Sequence, residues 1–228
     1  MWRFRDTGLS TNRQRKFEMS AKNNSKGIKI SPRYYQKDWD DLVLETRDSP
    51  DWDIAIKIFE DRMEGRFLKQ IEILDKNPDR KIGVFAGFAI MALDCLFIET
   101  LEQFFKGKIR TGQGMDEKAF FDFFQRSSKF KAFFNTQAKA TIFYQQVRCG
   151  LLHQAQTKRK TTIHIRPEGM LQWVDPKCLG QGVMIQRRLF HAEVVGIYTS
   201  YVEKLKDKKQ LNLKRKLKRK IDSIVSQA

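Results

Sequence analysis

Cysteine is scarce in this chain of 228 residues, which contains only Cys95, Cys149 and Cys178. None of the three stands in a CxxC or other paired spacing. An odd, sparse set argues against a disulfide-stapled scaffold and a cysteine-ligated zinc site, and it indicates a reducing, cytoplasmic compartment. The first 29 residues are polar and basic and lack the apolar segment of a signal peptide.

Long apolar runs are rare as well. The most apolar stretch, from 82 to 98, carries Asp94 as its only charge. It lies at the short limit of the roughly 17–25 residues that a membrane span needs, and an acid inside a span is costly. We therefore expect no transmembrane segment and predict a helix buried between other helices or across a dimer interface. Glu99 and Glu102, which follow this stretch, are predicted to be surface charges.

Negative charge is outweighed by positive charge: 44 Lys and Arg residues against 27 Asp and Glu residues give a net charge of +17 and a pI of about 9.9. This excess indicates an anionic partner, either nucleic acid or an acidic membrane surface. Histidine is limited to His153, His164 and His191, and no histidine–carboxylate cluster has ligand spacing. We therefore expect no metal and no cofactor.

Hydrophobic periodicity predicts a mainly α-helical fold with basic ends. We predict a basic flexible arm over 1–33, a helical domain over 34–208 and a basic tail over 209–228, which could bind nucleic acid or acidic lipid or remain solvated. The predicted helices cover 50–75, 79–106, 116–134, 136–156 and 186–208, with a β-hairpin at 161–174 before the last of them. The phenylalanines of 116–134 favour packing in the core or at a dimer interface over stacking on bases.

The segment from 143 to 158, FYQQVRCGLLHQAQTK, is the best candidate for chemistry. Its apolar residues recur at helical spacing, and Gly150 is the only glycine between 136 and 156. A glycine inside a helix costs roughly 1 kcal/mol relative to alanine, so we predict that another backbone or a phosphate comes close there. Arg148 and His153 are about 140° apart on an ideal helix, so two chains related by a two-fold axis could bring both pairs to one cleft.

An arginine and a histidine together suit phosphoryl chemistry on RNA. Histidine titrates near neutral pH and can move a proton, while the planar guanidinium fork of arginine matches phosphate oxygens. Attack by the neighbouring 2′-OH then needs no metal. On spacing alone, two alternatives stay open. Arg148 could reach solvent while His153 caps or packs, or Cys149 and His153 at i, i+4 could form a thiol nucleophile.

The stretch YQQVRCGLLHQAQTK, which contains Arg148 and His153, resembles the signature of the HEPN superfamily (higher eukaryote and prokaryote nucleotide-binding), whose helical domains carry R-x(4–6)-H on a late helix. The preceding GFAIMALDCLFIETLEQFFKG is similar to that family's long early helix, which often bears an acidic residue. The likeness covers roughly 81–205. It implies a four- or five-helix up-and-down bundle, with the hairpin as an addition, and a homodimer that places both motifs in one cleft.

Active members of that superfamily are metal-independent endoribonucleases of toxin–antitoxin, phage-defence and RNA-processing systems. The resemblance therefore implies RNA as the substrate, and an antitoxin or defence complex as a partner. Arg148 would hold and stabilise the scissile phosphate, and His153 would act as general acid or base. The weaker candidates, all for substrate contacts, are Cys149, Gln145, Gln154 and Lys158. Cys149 departs from the family pattern, in which the residue after the arginine is usually polar, and this leaves a binding-only RNA or protein module as the alternative.

Overall fold

Helices make up most of the fold in the computed structural model, which describes residues 27–109 and 116–227. The first helices are α1 (Gln36–Asp40), α2 (Asp51–Met63), α3 (Lys69–Asp75), α4 (Arg80–Phe85) and α5 (Gly87–Lys106), and a π-helical turn, Glu64–Leu68, joins α2 to α3. Next come α6 (Asp116–Phe124), α7 (Ser128–Phe133), α8 (Gln137–Phe143), a second π-helical turn, Tyr144–Arg148, and α9 (Cys149–Gln154). The chain continues with β1 (Thr162–His164), β2 (Leu171–Trp173), a 3-10 turn (Leu179–Gln181), β3 (Val183–Gln186), α10 (Arg187–Lys206) and α11 (Leu211–Ser226).

Helix α5 occupies the centre, and α3, α6, α9, α10 and α11 all pack against it. Its buried side chains point in several directions because the helix is apolar almost all round: Ile90, Met91, Cys95, Phe97, Ile98, Leu101 and Phe104. The prediction of a buried helix is thereby confirmed. None of the helices in the described ranges has both the length and the hydropathy that a membrane crossing requires.

The helix predicted over 79–106 is divided into α4 and α5. Asp79 caps α4 by accepting a hydrogen bond from the backbone N–H of Lys81 at 2.8 Å. The break falls beside Gly87, where a side chain would come within 3.4 Å of Ile163 and 3.7 Å of Arg187. The sheet and α10 are therefore in ordinary van der Waals range of the start of the central helix.

Five of the seven phenylalanines of 116–134 are fully buried, and Phe121 and Phe133 are partly buried against the same core. Phe124 stacks on Phe134 with ring centroids 4.0 Å apart, and it meets the Phe143 ring edge-on at 5.3 Å. Phe143 stacks in turn on Phe190 of α10. These four rings are fully buried, so core packing explains them and none is available to stack on bases.

The predicted hairpin is wrong. β1 and β2 do not pair with each other, because β3 lies between them in the order β1-β3-β2. β1 runs parallel to β3 with Ile163 opposite Ile185, and β2 runs antiparallel to it with Leu171 opposite the same residue. The strand that takes the centre is the most buried of the three, since Val183, Ile185 and Gln186 are all covered.

Both predicted basic ends differ from expectation where they are described. Residues 1–26 of the arm lie outside the described range, but 27–33 join the helical body: Ile30 and Ser31 are buried, and Asp61 of α2 accepts hydrogen bonds from the Ser31 hydroxyl at 2.7 Å and from Arg33 Nε at 2.6 Å. Residues 211–226 of the tail form α11, whose Leu217 and Ile221 are buried in the same core.

Candidate active site

One continuous helical segment, from α8 through the second π-helical turn to α9, carries the predicted site. Thr136 begins it by accepting a hydrogen bond from the backbone N–H of Lys139, and Ala155 ends it in the left-handed conformation at φ 52°. This agrees with the helix predicted over 136–156. The π-helical turn ends at Arg148, and such one-turn bulges inside α-helices are frequent at functional sites.

Arg148 forms a two-pronged ion pair with Glu99 of α5. Its Nε lies 2.6 Å from Oε1, its Nη2 lies 3.3 Å from Oε2, and the two side chains are only 18% and 13% exposed. The guanidinium also lies 5.4 Å from the centre of the Tyr144 ring. Burial alone would lower the pKa of Arg148, but the bonds to Glu99 raise it overall. The arginine is therefore a fixed cation with one terminal nitrogen, Nη1, outside the Glu99 fork.

The prediction that Glu99 and Glu102 are surface charges is wrong. Glu102 is 1% exposed and accepts two hydrogen bonds from Arg126, at 2.8 and 2.9 Å. Both acids follow an apolar run on the central helix, and buried carboxylates need cationic partners. Once Glu99 and Glu102 are known to be largely buried, each is expected to have a cation beside it. The local sequence does not reveal which arginine or lysine that cation is.

His153 is exposed, and within the described parts of the chain its imidazole makes no hydrogen bond or ion pair. It follows Arg148 by five residues of α-helix, or about 140° at 100° per residue. No hydrogen bond or ion pair joins the Arg148 and His153 side chains. The imidazole is thus free to meet a substrate, but Arg148 of the same chain faces Glu99 in another direction.

Gly150 is explained by a close backbone, as predicted, rather than by a phosphate. A Cβ atom there would lie 2.5 Å from the carbonyl oxygen of Gln156, and the N–H of that residue donates to the Gly150 carbonyl at 3.3 Å. Gln146 fixes the following loop, because its carbonyl accepts from the N–H of Lys158 and its side chain bonds both Gly180 and Thr161 at 2.8 Å. Gln146, which the sequence analysis passed over, is therefore a structural link between the helix and the loop.

The weaker candidates do not converge on Arg148. Gln145 is exposed and donates to Glu117 of α6 at 3.1 Å. Cys149 is a half-buried free thiol, Gln154 is exposed, and Lys158 is half-buried with its backbone bound to Gln146.

Acidic groups line the side of the segment that faces α6. Besides the bond between Gln145 and Glu117, the Tyr144 hydroxyl donates to Asp116 at 3.3 Å. Together with Glu99, these carboxylates oppose the approach of an anion from that side. Within 27–109 and 116–227, no group of three or more His, Cys, Asp or Glu side chains is arranged to hold a metal ion. Comparison of the chain with protein-family profiles, with curated proteins and with solved structures finds no match.

Proposed function

We propose that this chain is a metal-independent endoribonuclease of the HEPN type, acting in a toxin or phage-defence role at a cleft shared by two subunits. The observation that supports the proposal is that one helical segment carries both a fixed cation and an imidazole that is free to react. Arg148 is held by Glu99 with Nη1 outside the fork, and His153 is exposed and unpaired among the described residues.

The chemistry assigned to these residues is transfer of the phosphoryl group within the RNA strand. The 2′-oxygen attacks the adjacent phosphorus while its proton passes to a base, and the departing 5′-oxygen takes up a proton. His153 serves one of these two proton transfers. Arg148 stabilises the charge that builds on the non-bridging oxygens. The products are a 2′,3′-cyclic phosphate and a 5′-hydroxyl.

The angle between the two side chains is the reason for a shared cleft. A phosphate that touches Arg148 lies about 140° around the helix from His153 of the same chain. A second subunit, related by a two-fold axis, supplies the missing partner from its own copy of the helix.

The test is incubation of the full chain with single-stranded RNA in chelator, followed by analysis of the new ends. We expect cyclic phosphate ends from the unaltered chain, and a loss of about 10²–10⁴-fold in rate for His153→Ala. His164→Ala is the matched control, because His164 lies on β1 outside the motif and should leave the rate unchanged. Cleavage that survives unaltered in His153→Ala refutes the assignment.

A second candidate, a binding-only RNA or protein module, is favoured by one observation: the charge of Arg148 is already neutralised by Glu99, and Asp116 and Glu117 lie along the same segment. In this case RNA would bind elsewhere, for example on the exposed Arg215 and Arg219 of α11. Salt-sensitive binding without cleavage, abolished in Arg215→Gln/Arg219→Gln and kept in His153→Ala, would establish this function instead.

A further inference from the structure

A cavity of about 390 Å³ opens beside the first turns of α10. None of its described lining residues belongs to the motif helix. Its lining combines aliphatic side chains, chiefly Ile71, Ile90 and Val195, with the cationic Arg187 and Arg188. No Phe, Tyr or Trp is among the described residues that line it. The volume lies within the roughly 300–1,000 Å³ that is usual for small-molecule sites.

Arg187 is the most unusual side chain of this cavity, because it is 2% exposed and only partly satisfied. Its Nη2 donates to the Gly83 carbonyl oxygen at 2.9 Å and lies 2.9 Å from Asp75 Oδ1. Its Nη1 is buried and has no hydrogen-bond partner among the described residues. A buried charged nitrogen without an acceptor costs free energy, so the charge of Arg187 is only partly compensated by the described residues.

The charges around Arg187 leave a positive excess. Arg187 and Arg188 stand in the first turn of α10, where no acidic residue offsets the positive end of the helix dipole. Both arginines share the single carboxylate of Asp75, at 2.9 and 3.0 Å. The nearby Glu72 is already paired with Lys76 at 2.7 Å.

His191, one turn further along α10, does not supply a counter-charge. Its Nδ1 lies 2.8 Å from Oδ1 of the fully buried Asp94, so that carboxylate is used by the imidazole rather than by the arginines. Among the described residues, one guanidinium charge of the Arg187–Arg188 pair therefore lacks a counter-ion.

We infer that this cavity binds a small amphipathic anion, an alkyl chain that carries a carboxylate or a phosphate head. The head bonds the half-exposed Arg188, for which carboxylate and phosphate oxygens are the matching acceptors, and the charge of the neighbouring buried Arg187 adds to the attraction. The alkyl chain lies against Ile71, Ile90 and Val195, where burial of its methylene groups contributes to affinity. A nucleobase fits less well, because the lining offers no Phe, Tyr or Trp ring on which it could stack.

Calorimetric titration of the full chain tests this inference with four probes: octanoate, octyl phosphate, octanol and inorganic phosphate. We expect one molecule of octanoate or of octyl phosphate to bind per chain and to raise the melting temperature, since a ligand that binds only the folded state stabilises it. The stronger of the two identifies the head group. Absence of binding by both, or equal binding by octanol or by inorganic phosphate alone, would overturn the proposal.

Two variants test the contacts to the anionic head group and to the alkyl chain of the ligand separately. Arg188→Gln removes a head contact at a position that is 54% exposed, and Val195→Phe fills the aliphatic part while it keeps both arginines. Each should weaken octanoate binding by about tenfold or more. Arg166→Gln, an exposed arginine of the segment between β1 and β2, is the matched control and should bind as the unaltered chain does.

Unchanged octanoate affinity in both cavity variants, or an equal loss in Arg166→Gln, would contradict the assignment. Melting curves without ligand show whether each variant is folded before it is titrated. The titration contains no RNA, so its result is independent of the proposed nuclease activity.

Discussion

Glu99 of α5 and Arg148 of the motif helix form a two-pronged ion pair, with atoms 2.6 and 3.3 Å apart. The pair links the centre of the core to the segment on which the proposed chemistry depends. The Nε and Nη2 atoms of the guanidinium bond the carboxylate, and the third nitrogen, Nη1, does not.

Replacement of Glu99 should therefore disturb the position of the Arg148 side chain more than its charge. We expect Glu99→Gln to lower the free energy of unfolding by about 1–3 kcal/mol, because Arg148 keeps its charge and loses its buried partner. If the chain cleaves RNA, the cleavage rate should fall while RNA affinity stays equal or rises, since a negative charge has been removed. Urea unfolding and filter binding measure the two effects.

Glu203→Gln is the control for this prediction, because Glu203 is exposed on α10 and makes no ion pair among the described residues. It should leave stability and cleavage unchanged. A Glu99→Gln chain as stable as the unaltered one would show that the ion pair contributes little.

Gly150 and Gly196 make a matched pair of helical glycines with opposite expectations. Gly150→Ala places a methyl group 2.5 Å from the carbonyl oxygen of Gln156, a backbone atom that cannot easily move, so we expect a loss of about 1–3 kcal/mol or more. Gly196→Ala meets nothing within 4 Å and should stabilise α10 by about 0.5–1 kcal/mol. Thermal unfolding of both variants measures the contrast, and two shifts of the same sign would contradict it.

Asp61 should make stability depend on pH in the acid range. Burial alone would raise its pKa, but hydrogen bonds from Ser31 and Arg33 lower it overall. A lowered pKa in the folded state gives stability that is present above the unfolded value of about 3.9 and is lost as pH falls through the folded value.

Asp61→Asn should therefore cost about 1.5–3 kcal/mol at neutral pH, and the difference from the unaltered chain should shrink at about pH 3. Urea unfolding at the two pH values measures it. Asp40→Asn, an exposed carboxylate of α1, is the control and should show no such change. A difference for Asp61→Asn that is equal at both pH values would mean that the carboxylate charge is irrelevant.

His191 should give the opposite pH dependence: its contribution to stability should be lost as pH rises. Burial alone would lower the pKa of His191, but the bond to Asp94 raises it overall, and burial raises the pKa of Asp94 as well. A raised histidine pKa gives stability that is fully present below the unfolded value of about 6.5 and is lost as pH rises through the folded value.

We expect His191→Gln to destabilise the chain more at about pH 5.5 than at about pH 8.5, as measured by urea unfolding at both. His153→Gln serves as the comparison, because that imidazole is exposed and unpaired among the described residues. An equal cost of His191→Gln at the two pH values would show that its charge does not stabilise the fold.

The sequence predicts the helices well because their signals are local. Apolar spacing identifies the segments, and Asn77–Pro78 and Gly107 stand where helices end. The sheet is predicted poorly because its central strand pairs with Thr162–His164, about twenty residues away, in a parallel register that alternation cannot reveal. In 209–228 the spacing of Leu213, Leu217 and Ile221 indicates an amphipathic segment, but the basic composition does not reveal that its apolar stripe packs in the core.

For the candidate site, the sequence indicates the residues on the motif helix but not their partners on other helices. Residue chemistry makes Arg148 and His153 the candidates, and helix geometry indicates that another group comes close at Gly150. No such signal points to Glu99, because nothing in the sequence near position 99 indicates a partner 49 residues away. A π-helical turn before Arg148 also has no local signature in the residues that form it.

The position of β3 in the middle of the sheet constrains the order in which that sheet can assemble. β1 and β2 leave the ribosome first, yet neither has a partner until Val183–Gln186 has been synthesised. The loop from 156 to 161, which packs on the motif helix, leads directly into β1. The motif helix likewise lacks one of its contacts until residue 180 has been synthesised, because the Gln146 side chain donates to the Gly180 carbonyl.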